Sequence, residues 1–121
     1  MTSVVITHNE HIEQAITQAL DSLPLEALVR GKVVAVKPND TWASAQDKTA
    51  VTQPDTLRAV LRSVKQFHPK ELIVTGGSGA GETDQIFDVA GLMAIVKEEN
   101  ATFFDHNRGP FQVDLKQAKI K

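Results

Sequence analysis

Cysteine is absent from the 121 residues. The chain itself therefore supplies no disulfide, no thiolate nucleophile and no cysteine-ligated zinc or iron–sulfur cluster. Charge of one sign is also lacking. Thirteen basic and 15 acidic residues leave a formal net charge of −2, which gives no electrostatic case for nucleic acid or an anionic membrane surface. No stretch approaches the ~20 apolar residues of a membrane span. The opening Met1-Thr2-Ser3-Val4-Val5-Ile6 lacks the basic start and long apolar core of a signal peptide. The default expectation is a soluble cytoplasmic protein. With 41% apolar and 23% charged residues the composition is that of a globular chain, and its length fits one domain better than two.

What is present is an alternation of short apolar strands and amphipathic helices. Val4 to Ile6 reads as a strand. Ile12, Ile16, Leu20 and Leu23 then recur at helical spacing until Pro24, and Leu25 to Arg30 adds a further turn stopped by Gly31. Lys32 to Val36 is apolar on both faces, as in a central parallel strand. Pro38 to Val51 is a polar loop. Thr52-Gln53-Pro54-Asp55 has the form of a capping box, with proline in the first turn where its missing N–H costs nothing. Leu57, Val60, Leu61 and Val64 then form one apolar stripe, and Pro69 closes that helix. Leu72 to Thr75 is a second buried strand. Thr83 to Ala90 is a helix stopped by Gly91, Leu92 to Glu99 a further helical piece, Thr102 to Phe104 a strand, and Val113 to Ile120 an extended segment. This order predicts a single α/β domain over residues 1–121. A mainly parallel sheet would form a three-layer sandwich with helices on both faces.

The densest signal is Thr75-Gly76-Gly77-Ser78-Gly79-Ala80-Gly81-Glu82-Thr83, four glycines within six residues after a buried strand. Small residues let a backbone approach a ligand, and the helix start that follows favours an anion. The alternative is a plain connection that binds nothing. Gly76 to Thr83 has the spacing of a P-loop, but Glu82 stands where the phosphate-pairing lysine belongs. Gly77 and Gly79 match a dinucleotide fingerprint whose third glycine is again Glu82. Gly76-Gly77-Ser78-Gly79-Ala80 resembles a nucleophile elbow. Its acid and histidine would have to be Asp105 and His106, which are adjacent and would point apart on a strand.

Lys37, Asn39 and Asp40 follow the first central strand, so they are expected on the same sheet edge as the glycine loop. Lys37 can pair with a carboxylate or phosphate, and Asn39 and Asp40 can hydrogen-bond it. Lys37, Asn39, Asp40, Gly76, Gly77, Ser78, Gly79, Gly81 and Thr83 are accordingly the candidate ligand-binding residues. Trp42 in the neighbouring loop offers a stacking surface or simple packing. His8 and His11 lack a third ligand nearby, so no metal site is assigned. His106 belongs either to the same edge or to a polar turn before Gly109-Pro110.

Taken in order, these segments resemble the domain-of-unknown-function 362 family. Gly31 to Asn39 is similar to that family's Lys-Pro-Asn strand end, and Thr52-Gln53-Pro54-Asp55 with Leu57 to Val60 to its helix start. Lys70 to Val74 leads into the glycine-rich loop, and Glu82 to Phe87 with Gly91 is similar to its following helix and stop. The likeness covers roughly residues 10 to 115 and rests on order and spacing. It implies the amino-terminal part of a longer domain. The family's Lys-x-His element and the ferredoxin-type cysteine clusters of many members are missing here. It further implies association with a redox protein, with two alternatives. One is binding of a small anionic ligand or cofactor, completed by a carboxyl-terminal half. The other is a non-catalytic interaction domain that docks an iron–sulfur protein. The cofactor, the reaction and any catalytic residue stay unassigned.

Overall fold

The computed structural model describes residues 4–108. The elements are helices α1 (Ile12–Asp21) and α2 (Leu25–Val29), strand β1 (Val33–Val36), helix α3 (Pro54–Lys65), strand β2 (Glu71–Gly76), helices α4 (Thr83–Ala90) and α5 (Leu92–Glu98), and strand β3 (Thr102–Asp105). The three strands form one parallel sheet in the order β1-β2-β3. The α/β class and the parallel pairing of the two apolar strands are as the sequence predicts.

Register fixes which side chains share a face. Val34 pairs with Leu72, and Val36, Val74 and Phe103 stand in one row across the sheet. These five side chains join the core with Leu57, Leu61 and Val64 of α3, Ile86 and Phe87 of α4, and Leu92, Ile95 and Val96 of α5. The rings of Phe87 and Phe103 pack at 4.8 Å between centroids. The opposite face carries Val33, Ala35, Ile73 and Phe104, and Val33 and Phe104 stay 55% and 44% exposed. All apolar sheet residues in the core come from one face; on the second, among the described residues, only Thr75, with His106 against it, is buried. Handedness accounts for this. Parallel crossovers are almost always right-handed, and two crossovers that step the same way place their helices on the same side.

Helix α3 is the scaffold's axis. Leu57, Leu61 and Val64 of its stripe are fully buried, and Val60 is packed beside them. Ala59 and Ser63, small and one turn apart, are buried as well, and α1 packs along α3. The polar side of α3 carries an ion-pair network. Arg58 and Arg62 bond Glu98, and Arg62 and Lys65 hold the buried Glu99 at 2.8 and 2.9 Å.

Three sequence expectations fail at element boundaries. Val4 to Ile6 forms no strand. Val4 and Ile6 are 83% and 91% exposed, and a strand is stable only with a ladder partner. Thr7 Oγ1 instead donates to Ala15 O and lays this segment beside α1. The capping box at α3 does not form either. Gln53 is the N-cap, the Thr52 hydroxyl accepts from Asn39 N, and Asp55 Oδ1 accepts from its neighbour Thr56 N. The helix also ends at Lys65, short of the Pro69 expected to close it, and His68 turns to a positive φ of 52° ahead of that proline. The expected extended segment Val113 to Ile120 lies outside the described residues.

Candidate functional site at the carboxyl edge of the sheet

Parallel strands deliver their carboxyl ends to one edge. Lys37 to Asp40 after β1, Gly77 to Glu82 after β2 and His106 to Arg108 after β3 therefore meet there. Asp40 is the hub. It is 3% exposed, and its carboxylate accepts from Lys37 Nζ at 2.8 Å, Gly77 N at 2.8 Å and Ser78 Oγ at 3.1 Å. Burial pushes this carboxyl up. The hydrogen bonds from Lys37, Gly77 and Ser78, with the Lys37 charge, together outweigh it and hold Asp40 below the ordinary aspartate value.

The rest of the loop start is equally constrained. Ser78 N donates to Thr83 Oγ1 at 3.2 Å, and Asn107 Nδ2 donates to Ser78 O at 2.9 Å and Thr83 Oγ1 at 3.3 Å. Thr83, the first residue of α4, is 1% exposed. Thr75 Oγ1 and His106 Nε2 are hydrogen-bond partners, and the His106 ring lies where a side chain on Gly77 would go. His106 N also donates to Gly76 O at 2.7 Å, so β3 runs on into this edge. Gly79, Ala80 and Gly81 are exposed, and nothing stands within 4 Å of a Cβ built on Gly79.

A family model described as "Domain of unknown function (DUF362)" matches residues 34–121. The chain belongs to this family. None of the curated proteins and none of the solved structures matches it. The DUF362 match begins within β1, so α1 and α2 precede it, whereas the resemblance read from the sequence started near residue 10.

In this DUF362 domain the edge brings together Lys37, Asp40, Gly76, Gly77, Ser78 and Thr83 of the expected residues. It does not bring Asn39. Asn39 Nδ2 donates to Ala50 O and Asn39 Oδ1 accepts from Thr41 Oγ1, so this side chain closes the neck of the 38–52 loop. The backbone of Asn39 and Thr52 seals the same neck, with Thr52 N donating to Asn39 O at 2.9 Å. Trp42 on that loop is 41% exposed, while Ala43 beside it is in the core. Glu82, which stands where a P-loop would have its lysine, is paired with Arg108 at 3.0 Å, and Arg108 also reaches Asp84 at 3.1 Å. Both partners of the Glu82 pair are exposed, so the neutralisation is screened by solvent.

Asn107 and Asp105 were not among the expected residues. Asp105 Oδ1 accepts from Asn107 N, whereas its buried Oδ2 accepts no hydrogen bond and has Arg108 Nε at 3.5 Å. Their signal was positional: a polar run directly after a strand parallel to β2 must reach the same edge. Among the described residues no cluster of three His, Cys, Asp or Glu is arranged to hold a metal, and no helix is long and apolar enough to cross a membrane.

Proposed function

We propose that this domain binds a small anionic ligand or cofactor at the carboxyl edge, with Lys37 and the loop Gly76 to Gly81 as its binding elements, within a larger redox-associated protein. The observation that supports it most is the carboxylate of Asp40. The backbone N–H of Gly77, the hydroxyl of Ser78 and the ammonium of Lys37 all converge on it. That donor set is suited to a carboxylate, a single phosphate or a sulfate. Beyond it, Gly79 to Gly81 present exposed backbone just ahead of α4. The redox association comes from the family resemblance alone. The test is an NMR titration of the wild-type protein with acetate, phosphate and sulfate. Amides of Ser78, Gly79 and Gly81 should shift, and Lys37→Ala should weaken the response. Amides that stay still at millimolar anion, while remote ones move, reject the proposal.

The second reading is a non-catalytic domain that docks an iron–sulfur protein. The uncovered sheet face favours it, because Val33, at the amino end of β1, and Phe104, near the carboxyl edge, both expose apolar surface on it. A partner footprint on Val33, Ile73 and Phe104 in cross-saturation, with the loop amides unmoved, would select this reading over the first.

A further inference from the structure

We propose that Asp40 occupies the place of the ligand's anionic group, so that a ligand binds by exchanging with the Asp40 carboxylate at Gly77 and Ser78. This rests on the anion-binding reading of the same edge and adds how access to it is controlled.

Three features of the site carry the proposal. First, Asp40 reaches the cradle from another loop, 37 residues away in sequence from Gly77, as an external ligand would. Second, the space it fills is kept open by the absence of a side chain. A Cβ on Gly76 would stand 2.6 Å from Asp40 Oδ2, and Gly76 is otherwise a buried strand position where a side chain would ordinarily pack. Third, the carboxylate is tethered to a loop with its own closure. Asn39 and Thr52 hold the neck, and Asp40 itself bridges to Val51. The Asp40 backbone is thereby fixed at the neck, with Ala43 and Val51 of the loop in the core, so that only the Asp40 side chain has to turn for its carboxylate to leave Gly77 and Ser78.

The exchange needs no covalent step. An incoming carboxylate or phosphate takes the N–H of Gly77, the O–H of Ser78 and the Lys37 ammonium, and Asp40 moves out to water. Because Asp40 is held on the same chain at high local concentration, it lowers the apparent affinity for any free anion. Removing it should therefore raise that affinity, the opposite of what truncating a ligand-binding residue does.

The experiment compares wild type, Asp40→Ala and Asp40→Asn of the full chain, titrated with inorganic phosphate and with acetate. It reads the amides of Gly77 and Ser78 by NMR and the unfolding temperature. The expected result is at least about tenfold tighter binding in Asp40→Ala. Stability lost in the variant should be restored by added acetate and not by chloride, and Lys37→Ala in the same background should abolish the gain. Binding to wild type at Gly79 and Gly81 with no gain in either variant would overturn the exchange and leave the anion-binding proposal standing. Binding by the variants alone would support Asp40 as occupant and reject wild-type anion binding. Still amides in all three proteins would overturn both. If Asp40→Ala does not fold, Asp40→Asn keeps the size of the side chain without its charge and carries the comparison.

Discussion

Gly76 and Asp40 share one space: a methyl group on Gly76 would lie 2.6 Å from Asp40 Oδ2, and equally close, at 2.6 Å, to Phe87 Cε2. The glycine at the end of β2 is thus the condition for both the polar hub above it and the aromatic core below it. Gly76→Ala should destabilise the fold by about 1–3 kcal/mol through overpacking. Gly79→Ala, with open space around its Cβ position and no left-handed φ, should stay within about 0.5 kcal/mol of wild type. Urea unfolding of the two variants side by side checks this, and equal losses would mean that the crowding at Gly76 relaxes freely.

Leu61 is fully buried at the centre of α3. Leu61→Ala should cost roughly 2–5 kcal/mol, the transfer term plus a cavity. A loss under about 1 kcal/mol in chemical denaturation would show that this stripe does not face the core.

Acid should unfold the domain through two carboxyls. Burial raises the Glu99 carboxyl, but hydrogen bonds from Lys65 and Arg62 and their charges bring it below its ordinary value; Asp40 is lowered in the same sense. A carboxyl that titrates lower in the folded chain contributes stability above its unfolded value, and that contribution is lost as pH falls through the folded one. Stability should therefore be level near neutrality and decline below about pH 4.5. Glu99→Gln should flatten that decline in thermal melts recorded from pH 7 to pH 3. An unchanged slope would remove Glu99 from the account.

Gly91 joins α4 to α5 at φ +82°, and a Cβ there would also meet Pro54 Cγ at 3.3 Å. Gly91→Ala should cost about 1–2 kcal/mol, and Gly91→Asn less, since asparagine tolerates left-handed backbone. Measured unfolding free energies that rank alanine above asparagine would contradict this.

Much of the fold was legible because it rests on local chemistry. The runs Val33 to Val36 and Leu72 to Val74 announced parallel strands, and Gly91 announced a helix stop; β1, expected at the centre of the sheet, lies instead at its edge among the described residues with one face exposed, because an apolar run does not say how many neighbours a strand has. Val4 to Ile6 misled because strand propensity says nothing of whether a partner strand exists. Thr52 misled because its hydroxyl had a better donor in Asn39, 13 residues back. In the site, topology alone placed Lys37 and Gly77 on one edge. The occupancy of their donors by Asp40 was not legible, since it depends on how the 38–52 loop folds back. Asn39 shows the same limit: next to Asp40 in sequence, it spends its side chain on the loop's neck.

The one-way order of the sheet has a consequence for where a cleft can exist. In open parallel sheets ligands settle in the crevice formed where consecutive crossovers part in opposite directions, because the helices there leave toward opposite faces. From β1 to β2 to β3 the chain never reverses. Among the described residues the carboxyl edge is therefore a rim rather than a crevice, with the buried Asp40 carboxylate set into it. A strand arriving beside β1 would introduce the reversal next to Lys37 and carry a helix over Val33 and Phe104. A strand arriving beside β3 would extend the rim unchanged. The side on which a neighbouring strand docks thus decides whether Lys37 guards the mouth of a cleft or stands on its outer slope.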